Sequence, residues 1–229
     1  MTCITHCIFD MDGLLLDTER VYTEVTQQIL DKYADGVKFT WEVKSKLMGR
    51  NGDESAAMVV DTYQLPMTTQ EYLAMTSIIQ EDLFPHVKLL PGVEKLVRHL
   101  KAHNIPIAVA TSSTRAKFEL KTSLNKEIFT LFDVIVCGDD PEIKRGKPSP
   151  DLFLAAQKKL GHPASENCLV FEDAVNGVQA ALNASMHVVW IPDENIKALT
   201  GEHDHGATCV LPSMAYFVPE AFSLPPFRE

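Results

Sequence analysis

Short β-rich apolar runs alternate along this chain with longer stretches of helical periodicity. The runs occupy residues 3–10, 105–111, 134–137, 168–171 and 187–191, with a weaker one at 208–211. Each has the length of a buried strand. Helical patterns lie between them at 92–101, 117–122, 150–159 and 176–183. Strand-helix alternation predicts a parallel sheet covered by helices on both faces.

One segment breaks the rhythm. From Asp17 to Phe84 no convincing strand occurs, and residues 18–33, 41–47, 54–63 and 69–83 all read as helical. A helical insert of this size after the first strand is expected to form a separate cap over residues 17–84. Residues 1–16 and 85–229 are expected to form the core. Asp17-Thr18 and residues 85–91 are the expected hinges, and residues 219–226 an extended strap on the core surface.

The apolar fraction of 45% and charged fraction of 23% fit a globular enzyme and exclude disorder. The net charge of −10 argues against nucleic-acid or anionic-membrane surfaces. An anionic substrate would then need a locally positive site, supplied by a divalent metal, lysines or backbone N–H groups. Five cysteines without a CxxC fit a reducing compartment. No run has the length of a membrane span, and a cytoplasmic monomer is expected.

Four elements carry chemistry. In Ile8-Phe9-Asp10-Met11-Asp12-Gly13, a buried strand runs into two acids. Ligands of open α/β sheets bind beyond the carboxyl ends of strands, where Asp10 and Asp12 fall. The second predicted strand ends at Thr111-Ser112-Ser113, whose hydroxyls and free N–H groups suit a phosphate. Lys147, held between Gly146 and Pro148, is a placed point charge. Finally, Val170-Phe171-Glu172-Asp173 again runs a strand into acids. Magnesium prefers such carboxylate oxygens. Asp10, the Asp12 backbone carbonyl and Asp173 are its expected ligands, with Glu172 direct or through water. Each element alone could be an ordinary cap or turn; all four converging at one sheet edge point to a site.

These four matches, in this order, resemble the haloacid dehalogenase superfamily of phosphotransferases, in its helical-cap class. The resemblance implies an α/β fold with a Rossmann-like core and an inserted helical-bundle cap. The segments Asp10–Glu19 (DMDGLLLDTE), Cys137–Pro141 (CGDDP), Gly146–Pro150 (GKPSP) and Ala221–Pro225 (AFSLP) resemble one branch more closely. That branch contains phosphatases of pseudouridine 5′-phosphate, glycerol 3-phosphate, hexose phosphates and flavin mononucleotide. A magnesium-dependent phosphomonoesterase is implied. Pseudouridine 5′-phosphate or a related nucleotide is the first candidate substrate. A glycerol 3-phosphate or sugar phosphate phosphatase, or a sugar phosphomutase, is the alternative. The family's usual Gly is replaced by Ser185 in Ala184-Ser185-Met186.

By the same resemblance Asp10 is the nucleophile that forms an aspartyl phosphate. Asp12 acts first as acid and then as base, for which it must start protonated with a raised pKa. Lys147, Thr111 and Ser112 bind the phosphoryl oxygens. Arg50, in a glycine-containing turn of the insert, is the candidate substrate contact there. Glu19 and Arg20 follow the hinge and are expected near the site.

Overall fold

The computed structural model describes residues 3–201 and 203–227. Six strands form one sheet: β1 (His6–Phe9), β2 (Ile107–Ala110), β3 (Val134–Val136), β4 (Cys168–Glu172), β5 (His187–Trp190) and β6 (Cys209–Val210). Their order is β3-β2-β1-β4-β5-β6 and every pairing is parallel. All six predicted strands are present. The α/β class holds.

Alternation along the strands sorts the core into two faces, because successive side chains leave a strand on opposite sides. Cys7, Phe9, Val109, Leu169 and Phe171 pack on one face with Val93, Leu96, Val97 and Leu100. Those four lie on α5 (Val93–Ala102), the helix that follows the insert. Phe9 and Phe171, register partners, stack with ring centroids 4.5 Å apart. On the opposite face Ile8, Ala108, Val170 and Val188 pack against α8 (Asp151–Lys159) and α9 (Val175–Asn183). Two helices that periodicity does not reveal, α7 (Lys126–Phe129) and α10 (Glu194–Thr200), are short. In the tail, Phe217 and Leu224 close one face, and His99 Nε2 lies 2.8 Å from the Pro225 carbonyl.

Between β1 and α5 lie α1 (Thr18–Tyr33), α2 (Trp41–Leu47), α3 (Gly52–Thr62) and α4 (Thr69–Leu83). They have an apolar cluster of their own, built from Ile29, Leu30, Ala56, Val59, Leu65 and Tyr72. The start of α4 is fixed by a capping box, in which Thr68 and Glu71 each satisfy the other's backbone N–H. Ser185, at the position where the resemblance implies glycine, adopts φ +59°, so its backbone takes the glycine-like conformation past the end of α9.

Candidate active site

Strand order brings the motifs together. β1 lies between β2 and β4, and the chain direction of strand addition reverses there, which makes a crevice at the carboxyl edge. Asp10 leaves β1, Thr111 leaves β2 and Asp173 leaves β4, all at that edge. The ladder continues one residue beyond β1 and clamps the first acid: Asp10 N–H donates to the Phe171 carbonyl at 3.0 Å.

Asp10, Glu172 and Asp173 form a buried acidic cluster whose ligand oxygens lie within 4.8 Å of one another. Lys147 is sealed from solvent and donates to Asp10 and, at 2.6 Å, to Glu172 Oε1. Burial works against the ammonium, but Asp10 and Glu172 hold its pKa above the ordinary lysine value. Burial pushes the Asp10 carboxyl up to about 7; Lys147 opposes this, while Glu172 and Asp12 add to it. Burial, then the charges of Glu172 and Asp10, push Asp173 well above the carboxylate range. One lysine therefore does not neutralise three carboxyl groups. Hard oxygen donors crowded and undercompensated in this way fit a small divalent cation.

Three of the roughly four acceptor positions of Glu172 are taken, which leaves it one for a metal. Its Oε1 accepts from Lys147 and its Oε2 accepts the N–H groups of Asp173 and Ala174 at 3.1 and 3.3 Å. Two glycines make the cluster possible. A Cβ on Gly13, which has φ +75°, would lie 2.2 Å from Asp173 Oδ2, and one on Gly177 would lie 1.9 Å from Glu172 Cδ.

Asp12 has different partners. Its Oδ1 accepts from Lys121 Nζ at 2.6 Å, and its Oδ2 accepts from the Ser113 hydroxyl at 2.9 Å. Lys121 also donates to the Tyr22 hydroxyl of α1 at 2.7 Å and to Ser113 Oγ at 2.8 Å. Burial acts to raise the Asp12 pKa, but Lys121, with hydrogen bonds from Thr18 and Ser113, outweighs it and leaves the carboxyl below its ordinary value. The expectation of a resting, protonated Asp12 is therefore corrected: a buried lysine outside the four motifs holds it ionised. The Asp12 carboxylate is also outside the acidic cluster.

A cavity of about 590 Å³ opens from Asp10 and Asp12 toward the helical insert. Ser112, Ser113, Lys117, Gly138 and Asp139 line its core side. Glu19, Tyr22, Lys44, Arg50, Asn51, Tyr72, Thr76 and Gln80 are among the residues lining the other side. Thr111 is fully buried, and its hydroxyl lies 3.5 Å from Asp12 Oδ2 and accepts from the Ser113 N–H at 3.1 Å. Ser112 donates to the Gly49 carbonyl at 3.1 Å, tying the core loop to the turn of the insert. Arg50 reaches the cavity wall, while its Nε donates to the Lys46 carbonyl at 2.7 Å. Of the two residues past the hinge, Glu19 faces the cavity and pairs with buried Lys44 at 3.2 Å; Arg20 is exposed and pairs with Asp17.

Lys121 is the residue in contact with the site that the motifs most clearly miss. A signal for it exists: Phe118, Lys121 and Thr122 share the buried face of α6 (Arg115–Thr122) at i, i+3 and i+4. A lysine on such a face needs a buried anion.

The sequence model of the family described as haloacid dehalogenase-like hydrolase matches residues 7–191. The probable pseudouridine-5′-phosphatase of Drosophila melanogaster is 46% identical over 99% of this chain and 96% of its own length. (DL)-glycerol-3-phosphatase 2 of Arabidopsis thaliana is 44% identical over 99% of this chain and 94% of its own. The crystal structure of CbbY from Rhodobacter sphaeroides in complex with phosphate superposes with a TM-score of 0.76 at 25% identity, covering 93% of this chain and 96% of that one.

Proposed function

Since the chain belongs to the haloacid dehalogenase-like hydrolase family, we propose that it is a phosphomonoesterase working through an aspartyl phosphate on Asp10. The observation that carries this reading is the placement of Asp10. Its carboxylate sits at the end of β1, beside Lys147 and Asp173, at the floor of a cavity that also holds Asp12.

In this reading Asp10 attacks phosphorus and the ester oxygen departs on the opposite side. Lys147 is the fixed positive charge against the phosphoryl oxygens, and the Ser112 and Ser113 segment supplies donors. Asp12 is held ionised by Lys121, so it is ready as base for the water that splits the intermediate. To serve as acid it must first gain a proton. The arriving phosphate brings a second negative charge beside it, which raises its pKa. Asp10 and Asp173 would hold Mg2+, with the Asp12 carbonyl and Glu172 as the remaining candidates from the chain. When bound, that ion supplies charge stabilisation to the transferring phosphoryl group.

Residues 17–84 act as a cap that excludes water and carries the contacts to the leaving group, Arg50 among them. Pseudouridine 5′-phosphate or a related nucleotide is the first candidate substrate, on the 46% identity with the Drosophila melanogaster protein. Glycerol 3-phosphate is second, on the 44% identity with the Arabidopsis thaliana protein. The five unpaired cysteines support residence in a reducing compartment, such as the cytoplasm.

A phosphate-release screen over pseudouridine 5′-phosphate, glycerol 3-phosphate and hexose phosphates tests the reading. Magnesium-dependent release from one class, abolished by Asp10→Asn, is the expected result. Conversion of a hexose 1-phosphate to its isomer without free phosphate would replace phosphatase by mutase.

A further inference from the structure

Helix α4 turns a polar stripe inward. Tyr72, Thr76 and Gln80 recur at i, i+4 and i+8, with exposures of 5%, 4% and 5%. A buried helical face is ordinarily apolar. Two of the three have partners: the Tyr72 hydroxyl lies 3.1 Å from Thr26 Oγ1, and the Thr76 hydroxyl donates to the Leu73 carbonyl at 3.0 Å. The third does not. Gln80 Oε1 is buried with no hydrogen-bond partner among the described residues, and Gln80 lines the cavity that contains Asp10 and Asp12. Buried polar side-chain atoms nearly always have partners, so an amide left unpaired on a cavity wall is available to a ligand group once the side chain turns toward the cavity. Whichever way the amide is turned, it offers an acceptor and donors together.

The character of the wall narrows that group. Tyr72, Leu73, Thr76, Ser77 and Gln80 are the α4 residues lining the cavity, and none is charged. A second phosphate or a carboxylate would meet no counter-charge from this wall. A bare alkyl chain would leave the amide unpaired. Hydroxyl groups satisfy both conditions, since each donates and accepts. Position agrees. Gln80 lies one helical turn before Phe84, whose ring centroid is 4.8 Å from Lys121 Nζ, and Lys121 holds Asp12. Gln80 and Asp12 line the same cavity.

We propose that Gln80 is a specificity residue that reads hydroxyl groups on the alcohol half of the ester. The substrates it selects are phosphate esters of polyols, glycerol-like or sugar-like, over simple alkyl phosphates of the same length. This rests on the reading of the cavity as a phosphomonoester site.

The test compares glycerol 3-phosphate with n-propyl phosphate, and ribose 5-phosphate with 2-deoxyribose 5-phosphate, in wild type and Gln80→Leu. Wild type is expected to favour at least one hydroxylated member by about tenfold or more in kcat/KM, the scale of one buried hydrogen bond. In Gln80→Leu that preference falls toward unity, mainly through KM. Thermal stability of the free protein holds or rises, because the leucine removes an unpaired polar group. An undiminished preference in Gln80→Leu, or no preference in wild type, overturns the proposal while phosphatase activity stands. A wild type that releases no phosphate from any of the four esters or from p-nitrophenyl phosphate overturns the phosphatase reading and this proposal with it.

Discussion

Lys121 Nζ lies 2.6 Å from Asp12 Oδ1, and its side chain is sealed from solvent while that of Asp12 is 17% exposed. A buried ammonium thus spends its charge on the carboxylate proposed to manage protons, and links it to Tyr22 of α1. Lys121→Met is expected to cost about 3 kcal/mol of unfolding free energy, the scale for breaking a buried ion pair. Turnover falls about 100-fold or more as Asp12 loses its placement. In a urea double-mutant cycle, Asp12→Asn is expected to cost less in the Lys121→Met background than alone. Additive costs would show that the pair is not coupled.

The acidic cluster predicts an unusual pH dependence for the metal-free protein. Asp10 has a folded pKa of about 7, above its unfolded value, so the folded state binds more protons between the two. Stability from this group therefore falls as pH rises from the ordinary carboxylate range toward 7. Asp173, raised in the same direction, adds to the trend. With EDTA present, unfolding midpoints in urea are expected to be higher at pH 5.5 than at pH 7.5. Asp10→Asn flattens that difference. Asp12 has the opposite sign: its stabilising share is lost as pH falls through its lowered folded value.

Chelation should abolish phosphate release, and added Mg2+ should restore it. At a concentration of 100 times its dissociation constant, the ion should raise folded-state stability by about 2.7 kcal/mol. Asp173→Asn should lose both the activity and most of this shift, as read by calorimetry with and without Mg2+.

Gly177→Ala tests the packing beneath the site. The new Cβ would fall 1.9 Å from Glu172 Cδ, so the carboxylate that holds Lys147 must move. Activity should drop at least about 100-fold, with loss of thermal stability. Gly52→Ala is the stability control, because its Cβ would enter open space. Its cost should stay within about 0.5 kcal/mol.

The parallel sheet is legible in the sequence because its strands are short apolar runs between turns. The strand-end acids are legible because a buried strand that runs into carboxylates is costly unless a cation or a reaction offsets it. Helices α1, α2 and α4 are legible to the residue because their apolar positions keep one period between clear breaks. Helix α7 is not, since four residues make about one turn, and α10 is not, since Ile196 is its one buried position among the described side chains and sets no apolar period. At the site, Asp10, Lys147 and Asp173 follow from strand ends and a rigid turn. Lys121 lies eight residues beyond Ser113, and only the phase of α6 turns it inward. The low pKa of Asp12 is invisible in the sequence for the same reason: it depends on a partner 109 residues away. Gln80 gives no signal either, because a glutamine on a helix is ordinarily solvated.

The most direct test is reductive trapping of the enzyme during turnover. An acid-quenched sample treated with borohydride converts an aspartyl phosphate to homoserine, which peptide mass spectrometry locates. Homoserine at position 10, absent without substrate and absent in Asp12-intact Asp10→Asn, is the predicted result. Sustained magnesium-dependent phosphate release by Asp10→Asn, with no modification at position 10 of the wild type, would contradict it.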